Sequence, residues 1–279
     1  MSYLKKPRTG ISLVADEQVL AEFEDYLQDE QIIERSTMDI TRELKKLGYL
    51  DFYKEIQKRG RELNNSQRYE LLSTKVGSLS VYDYLKSVER NIVIDKLRHL
   101  LSMPEFYSGD HLLDVGCGSG LESVFLAGLV RQGKVVGIDY SSGFIEISKE
   151  RAQRRKVNNL EFVQANFEEI PYLSESFNGI FCINALYDPP DNPEEDYSQI
   201  LKRRLTEMNR VLNPGGSLFF VVSHDGTKEA VERAINFQKN GLKKFLESWG
   251  YTSYKFDLTE RRTFDDKLIN YSYFCMSKG

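Results

Sequence analysis

The sequence predicts an open α/β fold, a mostly parallel sheet flanked by helices and preceded by a helical extension. Three observations predict it. The apolar run Leu112-Leu113-Asp114-Val115 ends in the alternating glycines Gly116, Gly118 and Gly120, and an apolar helix pattern begins at once. A second apolar run, Val135-Val136-Gly137-Ile138, ends in Asp139. A helical stripe through Ile200, Leu201, Leu205, Met208, Val211 and Leu212 stops at Asn213-Pro214-Gly215-Gly216, a turn sequence that opens onto another apolar strand. A strand feeding a tight glycine loop feeding a helix is the ligand-cradling device of such sheets.

Residues 1 to about 105 carry no repeat, no low-complexity tract and no strand alternation. Val19, Leu20, Phe23 and Leu27 mark one helix. Ile40, Leu44 and Leu47 mark another, with Ser36 or Thr37 as its cap and Gly48 as its stop. Leu50, Tyr53 and Ile56 suggest a third, and Ser80 caps a longer helix through Leu85, Val88, Ile92 and Leu100. Each stripe is narrow, so these helices are expected to cover the sheet's carboxyl edge or one another.

From the glycine loop onward the pattern alternates. Ser123 to Val130 reads as a buried helix, Lys134 to Asp139 as a second strand, and Ser141 caps a helix through Phe144, Ile147 and Ala152. Leu160 to Gln164 is a third strand and Phe177 to Asn184 a fourth. The fifth begins near Ser217. Val231, Ala234, Ile235, Leu242, Phe245 and Leu246 follow at helical spacing, interrupted at Gln238 and Gly241, so the segment is one kinked helix or two short ones. Gly250-Tyr251 opens a sixth strand and Tyr271 to Met276 is the seventh.

The glycine loop departs from a dinucleotide fingerprint, because the third glycine of G-x-G-x-x-G would fall on Leu121. The segment Asp114-Val115-Gly116-Cys117-Gly118-Ser119-Gly120 instead resembles motif I of the class I S-adenosylmethionine (SAM) dependent methyltransferases. Arg210-Val211-Leu212-Asn213-Pro214-Gly215-Gly216-Ser217-Leu218 resembles the same family's R-V-L-x-P-G-G-x-L segment before strand five. The resemblance spans about 110 to 279. It implies a seven-stranded Rossmann-like sheet with an antiparallel last strand, and divides the chain into a helical extension or lid (1–105) and a SAM-binding domain (106–279). SAM is the implied cofactor. Its expected contacts are Asp114, Gly116, Cys117, Gly118, Gly120, Asp139, Tyr140, Asn166, Phe167 and Asn184, with Tyr82 and Tyr84 reaching in from the extension. Asp139, 19 residues after Gly120, suits the two ribose hydroxyls, because a carboxylate accepts from both. Two positions depart from the family: Asn166 where the adenine-facing acid usually stands, and Phe177-Asn178 in place of Phe-Asp.

On the acceptor side, His224 follows strand five and has a pKa range suited to proton abstraction, with Asp225 as orienter or base. Tyr187 lies in the segment after strand four, and these three are the candidate catalytic residues. Asp188-Pro189-Pro190 resembles the N/D-P-P-Y/F motif of amino-directed methyltransferases, but it stands four residues late and is followed by Asp191, so it reads as a proline turn. Asp188, Asp191, Glu194, Glu195 and Asp196 would repel a phosphate backbone from this mouth. The chain has 38 Lys and Arg against 42 Asp and Glu, a net charge of −4, which argues against nucleic acid as main partner. The three cysteines sit at buried positions with no metal-ligand spacing, and no structural metal is expected. No apolar run approaches a membrane span and no signal core precedes the helices, so a cytoplasmic location is expected. The expected function is methyl transfer from SAM to a nitrogen or oxygen of a small molecule. The alternatives are an RNA or protein methyltransferase using the helices for recognition, or a non-catalytic SAM-binding subunit. The oligomeric state is not legible.

Overall fold

The computed structural model describes residues 9–33, 36–51, 54, 63–76, 79–88, 90–187, 196–224, 227–262 and 268–279. The amino-terminal part contains α1 (Glu17–Asp29), α2 (Thr37–Lys46), α3 (Asn65–Leu72), the short strands β1 (Lys75–Val76) and β2 (Leu79–Ser80), then α4 (Val81–Val88) and α5 (Arg90–Ser102). Caps set the starts. Asp16 accepts from the Val19 amide, and Ser36 with Asp39 closes a reciprocal capping box before α2. Of the third expected helix, Tyr53 and Ile56 lie outside the described residues. The segment expected as one helix after Ser80 forms α4 and α5 instead. The β1–β2 pair was not expected; two residues per strand are too few for alternation to register in a sequence.

Seven strands follow: β3 (His111–Val115), β4 (Lys134–Asp139), β5 (Leu160–Gln164), β6 (Phe177–Ile183), β7 (Leu212–His224), β8 (Tyr251–Arg262) and β9 (Leu268–Lys278). Between them run α6 (Leu121–Leu129), α7 (Ser142–Arg155), α8 (Tyr197–Val211), α9 (Lys228–Asn236), a π-helical turn (Phe237–Leu242) and α10 (Lys243–Glu247). The sheet order is β5-β4-β3-β6-β7-β9-β8. β9 runs antiparallel to both neighbours and the other strand pairs are parallel, as expected for the seventh strand. The chain order reverses between β3 and β6, so ligands of this architecture bind at the carboxyl ends of those strands.

Both sheet faces are covered. Leu112, Phe181, Phe219, Val221 and Tyr273 pack on one side with the amino-terminal helices, α6 and α7. Leu113, Val115, Ile180, Cys182, Phe220 and Phe274 pack on the other with α8 and α10. That two-sided burial explains why the parallel strands read as continuous apolar runs rather than alternating ones. α1 rides on α6, with the Phe23 and Phe125 rings 4.7 Å apart. The interrupted stripe at Gln238 and Gly241 is the π-helical turn, which carries Gln238 into the interior at 1% exposure. Among the described residues no helix is long and apolar enough to cross a membrane.

Cys117, Cys182 and Cys275 are all buried and unpaired with one another. Burial pushes the Cys117 thiol well up and the Cys275 thiol up to about 12. A buried thiol that stays protonated is a poor nucleophile. Native protein at pH 8 is therefore expected to leave a thiol-specific dye unreacted over minutes, and denaturant to release three equivalents; fast native labelling would contradict this burial.

Candidate active site

The loop from β3 to α6 is built by three left-handed residues: Gly116 at φ 75°, Gly118 at 52° and Gly120 at 70°. Two of them are also places of close approach. A Cβ on Gly116 would stand 2.4 Å from the Ala185 Cβ, and one on Gly120 would stand 2.6 Å from Phe162 and from Ser148. The first contact sets the glycine loop against the end of β6, the second seats α6 against β5 and α7. The amides of Gly116 and Cys117 both donate to the Ile138 carbonyl, at 2.8 and 3.0 Å, which ties the loop to β4.

Asp139 ends β4 at 7% exposure. Its carboxylate accepts from the Gly118 amide at 3.0 Å and from the Ser141 amide at 2.9 Å. The expected ribose-binding acid thus stands directly against the glycine loop. Asp114 is buried beneath, its carboxyl pushed up to about 8 by burial although the Ser123 hydroxyl donates to it. Tyr82 lies over the loop: a Cβ on Gly118 would stand 3.3 Å from its ring, and the ring packs edge-on to Phe144 at 5.3 Å. Tyr84 is buried in the core, at 4% exposure. Tyr140 is half-buried with its ring edge-on to Tyr69 at 5.7 Å. Asn166 is exposed and its amide oxygen accepts from the Glu168 amide, while Phe167 is buried under the Arg204 guanidinium. Asn178 is remote: at the start of β6 it accepts from the His111 amide, so its departure from the family pattern belongs to strand pairing.

The extension reaches the loop through charges that the sequence did not flag. Asp83 of α4, fully buried, accepts from the Ser119 hydroxyl at 2.8 Å and pairs with Arg151 at 3.2 Å. Arg151 of α7, itself 2% exposed, also donates to the Ser119 carbonyl and pairs with Glu30 at 2.8 Å. Lys86 pairs with Glu122 at the start of α6, at 2.9 Å. Burial opposes all of these charges, yet the pairing with Arg151 holds Glu30 and Asp83 below the usual carboxylate range, and the pairing with Lys86 does the same for Glu122. Glu30, Asp83 and Arg151 are far apart in sequence and follow no spacing rule, so no local signal could have found them.

At the carboxyl ends of β6 and β7, Asn184 takes a left-handed φ of 60°, and its side-chain oxygen accepts from the Ser223 amide at 3.0 Å, clamping β6 to β7. Tyr187 follows with a buried hydroxyl. His224 is 7% exposed and its Nε2 lies 2.7 Å from the Ser272 hydroxyl, which donates in turn to Gln238. Gln238 adjoins the Tyr187 hydroxyl. The structure therefore brings His224 and Tyr187 into one polar chain, through two residues that sequence reasoning missed. Asp225 lies outside the described residues, as do Asp188, Asp191, Glu194 and Glu195; Asp196 caps α8.

These residues fit an adenosyl-methionine group. The glycines hold the loop in the left-handed turns of a cradle, an acid stands against it at the end of β4, and none of residues 116–120 is itself basic, as a phosphate would favour. Comparison with known proteins agrees. Residues 107–259 match the methyltransferase-domain family. A demethylmenaquinone methyltransferase of Oceanobacillus iheyensis is 31% identical over 179 residues, 62% of this chain and 71% of that protein. Those of Bacillus cereus and Listeria monocytogenes are 31% and 29% identical, over 46% and 49% of this chain. The chain spans only 53% and 55%, about half, of their lengths. Among solved structures, a SAM-dependent methyltransferase of Methanosarcina mazei is similar at 21% identity with a TM-score of 0.49, over 62% of this chain and 94% of that one. The chain belongs to the SAM-dependent methyltransferases of the Rossmann-like class.

Proposed function

We propose that this enzyme methylates a small-molecule acceptor in a biosynthetic step, with residues 106–279 as the SAM-binding domain and residues 1–105 as a lid. Bound SAM supplies an electrophilic methyl on a sulfonium. The protein's part is to hold that methyl in line with the acceptor and to keep water away. The glycine loop and Asp139 hold the adenosyl and methionine parts, with Asn166 and Phe167 at the adenine and Tyr82 closing over Gly118. Tyr140 and Asn184 flank the same surface. The acceptor enters at the ends of β6 and β7, beside Tyr187 and His224. The observation that carries this reading is the single surface made by Gly118, Asp139 and Tyr82, with the end of β6 against Gly116. Support for a small acceptor comes from the net charge of −4 and from relatives whose name refers to a demethylated quinone.

Calorimetric titration with S-adenosylhomocysteine, followed by labelled-methyl transfer to a panel of quinols, phenols, amines and RNA, tests the reading. Transfer to RNA alone would overturn it. Asp139→Ala is expected to weaken S-adenosylhomocysteine binding about 10- to 100-fold, the loss of one or two hydrogen bonds to a charged group. Unchanged affinity would remove Asp139 from the site.

A further inference from the structure

A loop built on three glycines is entropically loose, because glycine loses more backbone freedom on ordering than any other residue. Ser119, between Gly118 and Gly120, carries the only hydroxyl of residues 116–120 and is fully buried. Both of its oxygens are gripped from outside the loop. The hydroxyl donates to the Asp83 carboxylate of α4 at 2.8 Å, and the carbonyl accepts from the Arg151 guanidinium of α7. Asp83 and Arg151 pair with each other at 3.2 Å, so the three residues close a ring. The peptide joining Ser119 to Gly120 is then held on both sides, since the Gly120 amide donates to the Cys117 carbonyl at 2.9 Å. Asp83 is in turn fixed by the Ser80 amide and hydroxyl, at 3.2 and 2.8 Å. One residue before it, Tyr82 lies against Gly118, whose amide donates to Asp139.

We propose that Asp83 and Arg151 are positioning residues for the cofactor: acting through Ser119, they lock the glycine loop in its ligand-holding shape, so that SAM binding and docking of the helical extension are coupled. The inference rests on the methyltransferase reading of the site and names what fixes its cofactor half. Neither residue needs to touch SAM. Ser119 has no exposed surface, so it too acts through the backbone on either side of it. The ring is assembled from three distant segments, with Ser119 lying 36 residues from Asp83 and 32 from Arg151. A buried ion pair stabilises a fold little better than apolar residues of the same volume. What the pair supplies here, and an apolar pair would not, is a directed acceptor for the Ser119 hydroxyl and a directed donor for its carbonyl. α4 therefore cannot move away without freeing the loop. Coupling is reciprocal, so a ligand that orders the loop must also hold α4 in place.

Calorimetric titration with S-adenosylhomocysteine tests the lock. Ser119→Ala removes one hydroxyl and no charge, and is expected to weaken binding about fivefold; Asp83→Ala should weaken it about tenfold. Because both act through one hydrogen bond, the double variant should bind within about twofold of Asp83→Ala, whereas independent losses would multiply to about 50-fold. Gly48→Ala, destabilised elsewhere in the extension, should bind within about twofold of wild type, which separates positioning from lost stability. Hydrogen exchange gives a second reading that needs no Asp83 variant. In the wild type S-adenosylhomocysteine should slow exchange of the α4 amides, and in Ser119→Ala that protection should fall by about half or more. Unchanged affinity in Ser119→Ala, losses that multiply in the double variant, or α4 protection undiminished in Ser119→Ala would each overturn the proposal. Wild-type protein that fails to bind S-adenosylhomocysteine would instead sink the methyltransferase reading beneath it.

Discussion

Arg151→Met is expected to lower the free energy of unfolding by about 3–5 kcal/mol, the range for breaking a buried ion pair from one side. Methionine fills much of the volume, so the loss reports charge rather than a cavity. Arg151 is 2% exposed and touches three groups: Glu30, Asp83 and the Ser119 carbonyl of the glycine loop. Glu30 keeps Arg154 and Arg155 as partners, but Asp83 is left fully buried with the Ser80 amide, the Ser80 and Ser119 hydroxyls and the Lys86 charge to offset its own. Adding Asp83→Asn to Arg151→Met should therefore restore part of the loss, a coupling that a double-mutant cycle in urea would read. The pH dependence has a definite sign. In the wild type Glu30 and Asp83 are held below their ordinary values, so their contribution is present above about pH 4, the unfolded range, and is lost as pH falls through the depressed folded values. In Arg151→Met the buried Asp83 favours its neutral form, and the deficit against wild type should shrink on acidification. A deficit constant from pH 7 to pH 4 would mean that packing, not charge, is what Arg151 supplies.

What was legible in the sequence is what local pattern encodes. The glycine loop and the Asp139 strand end each depend on residues a few positions apart, and both stand where their spacing predicted, whereas Asn213-Pro214-Gly215-Gly216, expected as a turn, lies within β7. β7 nevertheless begins at Leu212, earlier than expected, because Leu212 pairs with Phe177 before a register shift at Gly179. A turn sequence signals a change of direction but cannot exclude a bridge on its near side. The Asn178 departure also became readable only with the fold, once its bond to the His111 amide was seen. Harder to see was everything that joins distant segments. The Glu30–Arg151–Asp83 cluster and the His224–Ser272–Gln238 chain are assembled by topology alone. Gln238 shows the limit well: in sequence it interrupts an apolar stripe, and only the wider π turn reveals that the interruption faces inward.

Gly116→Ala is expected to weaken S-adenosylhomocysteine binding by roughly 100-fold or more, the effect of a displacement of about 1 Å in a ligand-positioning segment. Two penalties act at this position. A φ of 75° is strained for alanine, by about 1–2 kcal/mol. The added Cβ would also stand 2.4 Å from the Ala185 Cβ, far inside the ~3.5–4 Å of a normal carbon contact. Neither partner is the end of a flexible side chain, so backbone must move, and the loop must part from the end of β6. Gly48→Ala separates the two penalties. Its φ is 80°, but no atom lies within 4 Å of the added carbon. It should lose about 1–2 kcal/mol of stability and keep full affinity for the ligand. Ala185→Gly offers the complementary control, since it removes the struck atom and leaves the strain. Gly116→Ala with Ala185→Gly should recover most of the lost affinity while remaining less stable than wild type. If Gly116→Ala bound S-adenosylhomocysteine as well as Gly48→Ala does, the contact between the glycine loop and β6 would not be what shapes the site.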